Sequence, residues 1–379
     1  MNRVGADEAA VARTEAPPLC FRICRGAQVA DAPAVSVIAL VTQDVTLLER
    51  CLHSVREVAP HDISSEVIVV ANGTDPAALR DISARQDVVL IESPVNLGFG
   101  GGCNLAARLA RGKRLVFLND DVVVTPGWLE GLNRVMDEDE RTAVVGSKVL
   151  LRDGELQEAG CVLWSDGSTS GVGRGDDPSK PAYLERRAVD YVSFCSTMVR
   201  RSAWEAAGGF DDRYFPAYYE DVDLCLTVQA GGWRVMYEPT SVVHHAEGAS
   251  ASRDFRDFAS RRNQRQFVAK WAAILSTYQH APTNAERSDA VEQALRQASR
   301  RQAAMNAPPA ADHRLPAADV SEFLDDPVTS RLIVDKLYAD CLVKAEYIRL
   351  LEERVANRGV RDVLRARLSR YLSSRIGNR

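Results

Sequence analysis

From Val35 onward the chain alternates short apolar runs with segments of helical periodicity. "VSVIAL" is a β-branched apolar run, "TLLERCLHSVREV" carries the 3–4 spacing of an amphipathic helix, and "EVIVVANGT" is a second buried run ending in turn residues. The alternation continues with "DVVLIE" as a strand, "NLGFGGG" as a loop, "CNLAARLARG" as a helix closed by Gly112, and "RLVFLNDD" as a strand running into acid. Four apolar strands separated by helices or loops predict a parallel sheet with helices on its faces, its ligands lying beyond the C-terminal ends of the strands. That rule directs attention to Asn72, the glycine loop and Asn119 to Asp121.

The pattern changes after "TPGWLEGLNRVMDED", a helix begun by Pro126. "AVVGSKVLL", a Gly- and Asp-rich stretch over 166–177 and "VDYVSFCSTMVRR" predict a mixed sheet with long loops, a setting suited to an acceptor. A short helix with acid at its start follows in "YYEDVDLCLTVQAGGW", then "RVMYEP" as a strand and "SVVHHAEGAS". "FRDFASRRNQRQFVAKWAAIL" predicts a basic amphipathic helix with Phe267, Trp271, Ile274 and Leu275 on one face. The predicted organisation is an N-terminal extension over 1–33 with one short strand near Leu19–Cys24, a main domain over 34–278, a linker over 279–327 with one weak helix, and a helical region over 328–379.

Composition narrows the class. With 379 residues, a net charge of -5, 26% charged and 46% apolar residues, the chain describes an ordinary globular protein and argues against a nucleic-acid partner. Eight cysteines without CxxC pairs argue against a zinc ribbon and for a reducing compartment. No signal peptide is read in the first twenty residues and no 18-residue apolar run occurs, so the expected location is cytoplasmic, with peripheral contact at the inner face of the plasma membrane as an option. That option comes from the final segment, where seven arginines face one aspartate between Asn357 and Arg379 on a helix with an apolar stripe. Such a helix suits an anionic membrane surface and equally suits self-association.

Three elements carry candidate chemistry. "VFLNDDVV" delivers carboxylates from the end of a buried strand, a donor type that suits Mg²⁺ or Mn²⁺ holding a diphosphate; alone it equally describes a solvated turn. "VVHH" puts imidazoles on a strand end, where adjacent side chains face opposite ways, so only one reaches a given site. "YYEDVDLC" gathers Glu220, Asp221 and Asp223 beside aromatic residues. Clustered acid of this kind needs a cation, hydrogen bonds or a catalytic use, although acid at a helix start is also favoured by the dipole.

Taken in order, "VSVIAL", "EVIVVANGTD", "NLGFGGGCN", "FLNDDVVVTPGWL", "GGFDDRYFPAYYEDVDLCLTVQAGGWRVMYEP" and "VVHHAEGAS" resemble glycosyltransferase family 2, in particular its bacterial rhamnosyltransferase-like branch. The resemblance implies an α/β GT-A fold, Rossmann-like, with a mixed, mostly parallel sheet flanked by helices and here a C-terminal helical extension. It implies Asp121 and His245, rather than His244, as ligands of Mn²⁺ or Mg²⁺, and Asn119 and Asp120 as donor contacts. Asp221, the Asp of the family's "ED" motif, becomes the base of an inverting transfer. Glu220, Asp223 and Trp233 are expected at the acceptor, and Asn72, Asp75, Gly98, Gly100 and Gly101 near the donor.

Two departures stand out: Ala71 occupies a position that is usually Asp in the family, and Asn119 the first acidic place of the DxD-type motif. The expected activity is transfer of a sugar from a UDP-, GDP- or dTDP-sugar to a saccharide or lipid-linked glycan hydroxyl, in bacterial surface-polysaccharide assembly. The rivals are a sugar nucleotidyltransferase, which should show a basic Gly-rich loop after the first strand where "ALVTQDVTLL" has none, and a non-catalytic nucleotide-sugar-binding scaffold.

Overall fold

A computed structural model describes residues 21–247, 252–283, 287–305, 323–324 and 327–357. The expected N-terminal extension up to residue 20, the rest of the linker and the basic segment beyond Asn357 lie outside the described residues. The first half is built as the hydrophobic pattern predicts. Strands β1 (Phe21–Arg25), β2 (Val35–Val41), β3 (Ser65–Asn72), β4 (Val88–Ser93) and β5 (Arg114–Asn119) are joined by α1 (Val45–Glu57), the short α2 (Arg80–Ser83) and α3 (Gly98–Leu109). β5, β2, β3 and β4 lie side by side and parallel.

Helix α1 forms because Asp44 caps it, accepting from the Thr46 and Leu47 amides, and because Leu48, Cys51, Leu52 and Val55 recur on one buried face. Along the strands, Ile38, Ile68, Val70, Ile91, Leu115 and Phe117 point to the α3 side. Their neighbours Val37, Ala39, Val69, Leu90, Val116 and Leu118 point the other way, toward α1 and the next helix. Both faces are therefore covered, as an apolar parallel sheet requires.

The second half completes a mixed sheet. β6 (Val122–Val124) leads to α4 (Trp128–Glu138), which starts two residues after Pro126 behind a left-handed Gly127. Then come β7 (Thr142–Leu151), β8 (Leu156–Glu158), β9 (Cys161–Leu163), β10 (Thr169–Gly171), β11 (Arg187–Ala188) and β12 (Ser196–Arg200). After α5 (Arg201–Ala207) and α6 (Glu220–Ala230), β13 (Arg234–His245) runs parallel to β7, while β12 is antiparallel to both β5 and β7. The large sheet has the order β11-β13-β7-β12-β5-β2-β3-β4-β1-β14, with β14 at Phe323–Leu324.

Three local readings change. The glycine run is not a loop: α3 begins at Gly98, and the close approach of helix to strand explains the composition, since a Cβ on Gly102 would lie 2.5 Å from Leu40 Cδ2. In α7 (Arg253–Leu275), Phe267 and Leu275 are buried, but Ile274 points outward, 38% exposed. The segment read as a linker holds α8 (Arg287–Ala304), whose Gln302 side chain joins the sheet edge. It accepts from the Val235 amide at 3.0 Å and donates to the Val189 carbonyl at 2.8 Å.

Helix α9 (Pro327–Asn357) follows and buries Ile333, Lys336 and Val343 against the domain, the last beside Phe215 and Phe258. Among the described residues no helix is long and apolar enough to cross a membrane.

Candidate active site

Beyond the C-terminal ends of β2, β3 and β5 lies a cleft of about 730 Å³. Its lining includes Asn72, Gly98, Asn119, Asp120, Asp121, Glu220, Asp221 and His245. Backbone pairing makes the first part. β6 pairs antiparallel with the end of β13 in a register that sets His244 against Val123 and His245 against Val122, and the Ala246 amide donates to the Asp121 carbonyl at 3.1 Å. The alternation along β13 turns His245 inward, so that its Nε2 lies 3.1 Å from Asp121 Oδ1 and 3.4 Å from Asn119 Nδ2.

Gln157 completes this group, its Oε1 lying 2.9 Å from His245 Nδ1. With Nδ1–H donating to that oxygen, Nε2 either carries a second proton or turns a lone pair toward Asp121 Oδ1. A lone pair and a carboxylate oxygen so close need a cation between them, and an imidazole nitrogen with a carboxylate oxygen suits Mn²⁺ or Mg²⁺. Among the described residues no group of three or more His, Cys, Asp or Glu side chains could hold a metal ion. Asp121 and His245 are the two side chains placed to act as protein ligands of such an ion, whose other ligands would be diphosphate and water oxygens. Beside them, burial and then the neighbouring Asp121 push the Asp120 carboxyl up to about 7.

The acidic wall comes from the start of α6. Tyr218 and Tyr219 both have left-handed backbone, at φ 78° and 74°, an uncommon state for side chains of this size. Asn263 of α7, fully buried, holds that bend by donating to the carbonyls of Tyr214, Ala217 and Tyr218 at 2.7, 2.9 and 3.0 Å. The bend aims Glu220 and Asp221 into the cleft. Asp221 accepts from the Val222 amide at 2.8 Å, and burial, against these backbone hydrogen bonds, raises its carboxyl to about 6. Glu220 is 6% exposed with no hydrogen-bond partner on Oε2, and burial followed by the Asp221 charge pushes it well above the usual carboxylate range.

Sequence reasoning missed several residues of this site. Behind Asp221 lies Glu158, buried, accepting from the Ser193 hydroxyl at 2.6 Å and from Cys161 Sγ at 3.4 Å; burial raises it as well. Cys195 also lines the cleft, and its thiol is driven up by burial and then by the charges of Glu158, Asp121 and Asp221. Gln157, Glu158 and Asn263 sit in no motif, and only their contacts reveal them.

Other expected site residues lie elsewhere. Asp223 does not line the cleft: it is 2% exposed and accepts from Tyr214, Lys270 and Trp271. Trp233 is packed in the main core. Asp75 caps a short 3₁₀ turn, accepting from the Ala77 amide at 2.9 Å. Gly100 and Gly101 line a small recess behind the cleft, together with Glu220 and Lys336. Asn72 reaches the cleft but is engaged in its wall, accepting from the Leu97 amide at 2.7 Å and donating to the Gly98 carbonyl at 3.0 Å.

A mixed, mostly parallel sheet whose strand ends carry an acidic pair and an imidazole, with a second acidic pair at the start of a helix beside them, defines the class of GT-A folds. The structure is similar to that of GalNAc-T7 with UDP, GalNAc and Mn2+, at a TM-score of 0.51 and 14% identity over 67% of this chain and 59% of that one. The model of Glycosyl transferase family 2 matches residues 36–204, a little under half of the chain.

Among its relatives is the O-antigen biosynthesis protein RfbC of Myxococcus xanthus, 29% identical over 59% of this chain but only 18% of its own length. Another is the N-acetylglucosaminyl-diphospho-decaprenol L-rhamnosyltransferase of Mycobacterium tuberculosis (strain ATCC 25618 / H37Rv), 28% identical over 58% of this chain and 78% of that protein. The chain thus spans less than a fifth of the first of these two relatives.

Proposed function

We propose that this protein is an inverting, metal-dependent glycosyltransferase that moves a sugar from a nucleoside-diphosphate sugar to a saccharide hydroxyl, in the assembly of a cell-surface polysaccharide. One observation carries the reading: Asp120, Asp121 and His245 share a single cleft with Glu220 and Asp221, although the two acidic pairs, one at a strand end and one at a helix start, lie about a hundred residues apart in the chain. Asp221 is the base in this reading. Its carboxyl, held near 6 by burial, is ionised at neutral pH yet close enough to solution pH to accept a proton from an acceptor hydroxyl. Burial favours the protonated form of Glu220, whose O–H in this reading is donated to the acceptor and helps to orient it.

Asp121 and His245 would hold Mn²⁺ or Mg²⁺, with Gln157 fixing the imidazole, and the bound ion would supply neutralisation of charge on the departing diphosphate. Asn119 and Asp120 stand where they can contact the donor. The names of the relatives, an O-antigen biosynthesis protein and a rhamnosyltransferase acting on a diphospho-decaprenol, support a surface-glycan acceptor.

The test is incubation with UDP-, GDP- and dTDP-sugars plus Mn²⁺ and measurement of released nucleoside diphosphate. Release that falls by about 10²–10⁴ in Asp221→Asn, with donor affinity retained, is the expected result. Pyrophosphate-dependent formation of nucleoside triphosphate would instead identify a nucleotidyltransferase. Donor binding without any turnover would identify a scaffold.

A further inference from the structure

Helix α9 has two apolar faces. One is docked on the domain through Ile333, Lys336 and Val343. Opposite it, Val334 (52% exposed), Leu337, Tyr338 (66%), Cys341, Leu342 and Ile348 (55%) stand in solvent. Val334, Leu337, Cys341 and Ile348 lie on one side of the helix at spacings of 3, 4 and 7 residues over about four turns, with Lys344 at the intervening seam position. An apolar stripe of this length on an otherwise docked helix marks an interaction surface.

We propose that this stripe pairs with the same stripe of a second copy, antiparallel and centred on Cys341. Charge placement selects both the occupant and the direction. With Cys341 on the two-fold axis, Val334 stands level with Ile348 of the second copy, and Tyr338 near its Ala345. On one flank Arg331, level with Leu351 of the second copy, comes within one residue of its Glu352, and Asp335 within two residues of its Arg349. Opposite charges meet at both ends, each contact being repeated by the two-fold symmetry. The parallel arrangement would instead set Arg331 against Arg331 and Arg349 against Arg349. Within one chain Arg331 is held by Asp335 at 2.8 Å, an exposed contact that exchanges readily for an intermolecular one.

The full chain is tested by sedimentation velocity over a concentration series up to about 50 µM, a range in which a pairing of this size is populated. Wild type should sediment as a dimer, and mild oxidation should give a disulfide-linked dimer that is absent in Cys341→Ser. Val334→Glu with Ile348→Glu should give a monomer whose circular dichroism and thermal unfolding match wild type, since neither residue touches the domain core. Arg331→Glu and Glu352→Arg should each raise the dimer dissociation constant about tenfold, and the two together should restore it. A wild-type monomer throughout the series overturns the proposal, including one that floats with anionic phosphatidylglycerol vesicles through the same residues. So does failure of the double charge reversal to restore association.

Discussion

Replacing Asp223 separates an architectural role from a role at the acceptor. Its Oδ1 accepts from the Tyr214 hydroxyl at 2.8 Å and from Trp271 Nε1 at 2.7 Å, and its Oδ2 from Lys270 Nζ at 2.8 Å. The carboxylate thereby ties α6 to α7 and to the turn that precedes the acidic wall. In Asp223→Ala the Tyr214 hydroxyl and the Trp271 N–H lose their acceptor, and each orphaned buried donor costs about 1–3 kcal/mol. Lys270 adds little, because it keeps Asp211 at 3.0 Å and reaches solvent.

The sum is about 2–6 kcal/mol, which brackets the roughly 3–5 kcal/mol for breaking a buried pair by removing one member. Asp223→Asn retains one oxygen that can serve both donors and should cost about 1–2 kcal/mol. Urea unfolding followed by circular dichroism reads both values, with an unchanged m-value expected. An Ala variant within about 0.5 kcal/mol of wild type would refute the architectural role. So would normal stability combined with a raised KM for the acceptor alone.

Two further predictions follow from the same geometry. Gln157→Leu leaves His245 without its acceptor and should weaken Mn²⁺ binding about 10–100-fold, read by paramagnetic resonance of the free ion; unchanged affinity would remove Gln157 from the site. Asp221 has a folded pKa raised to about 6 over an ordinary 3.8. Its neutral form therefore contributes stability that is fully present below about 4 and lost as pH rises through 6. Over that same window kcat/KM should rise as the carboxylate forms. Asp221→Asn should raise the thermal midpoint at pH 8 relative to wild type and flatten this part of the stability profile. An unchanged profile would mean that some other group titrates there.

The sheet was legible because its strands are apolar on both sides and its helices keep strict periodicity: "VSVIAL", "EVIVVAN", "DVVLIE" and "RLVFLN" all fall on β2 to β5. The acidic pairs and His245 were legible as well, since each sits at an element end where chain direction changes. What escaped reading was set by distant contacts. Asp223, two places beyond Asp221, belongs to the same acidic run, yet that step of about 200° around the helix directs it away from Asp221 and toward Lys270 and Trp271.

Trp233 follows a turn and is taken up by the core. Gln157 and Asn263 look like ordinary polar residues until packing places an imidazole and three carbonyls beside them. The glycine run misled for a related reason, because it serves close packing of helix on strand as well as backbone freedom. The tightness between α3 and β2 is a three-dimensional fact that composition alone does not express.

The pairing of β6 with the end of β13 has a consequence for how the protein can change. A ladder of main-chain bonds decides which of two neighbouring imidazoles meets Asp121. Inserting or deleting one residue between Val242 and His244, where β13 pairs without a break with β7, would present the wrong ring and rotate the right one to the far side of the sheet. Substitutions along this ribbon should therefore be tolerated far better than changes of length, and a natural variant with an altered count there would have had to rebuild its cation-binding corner from other side chains.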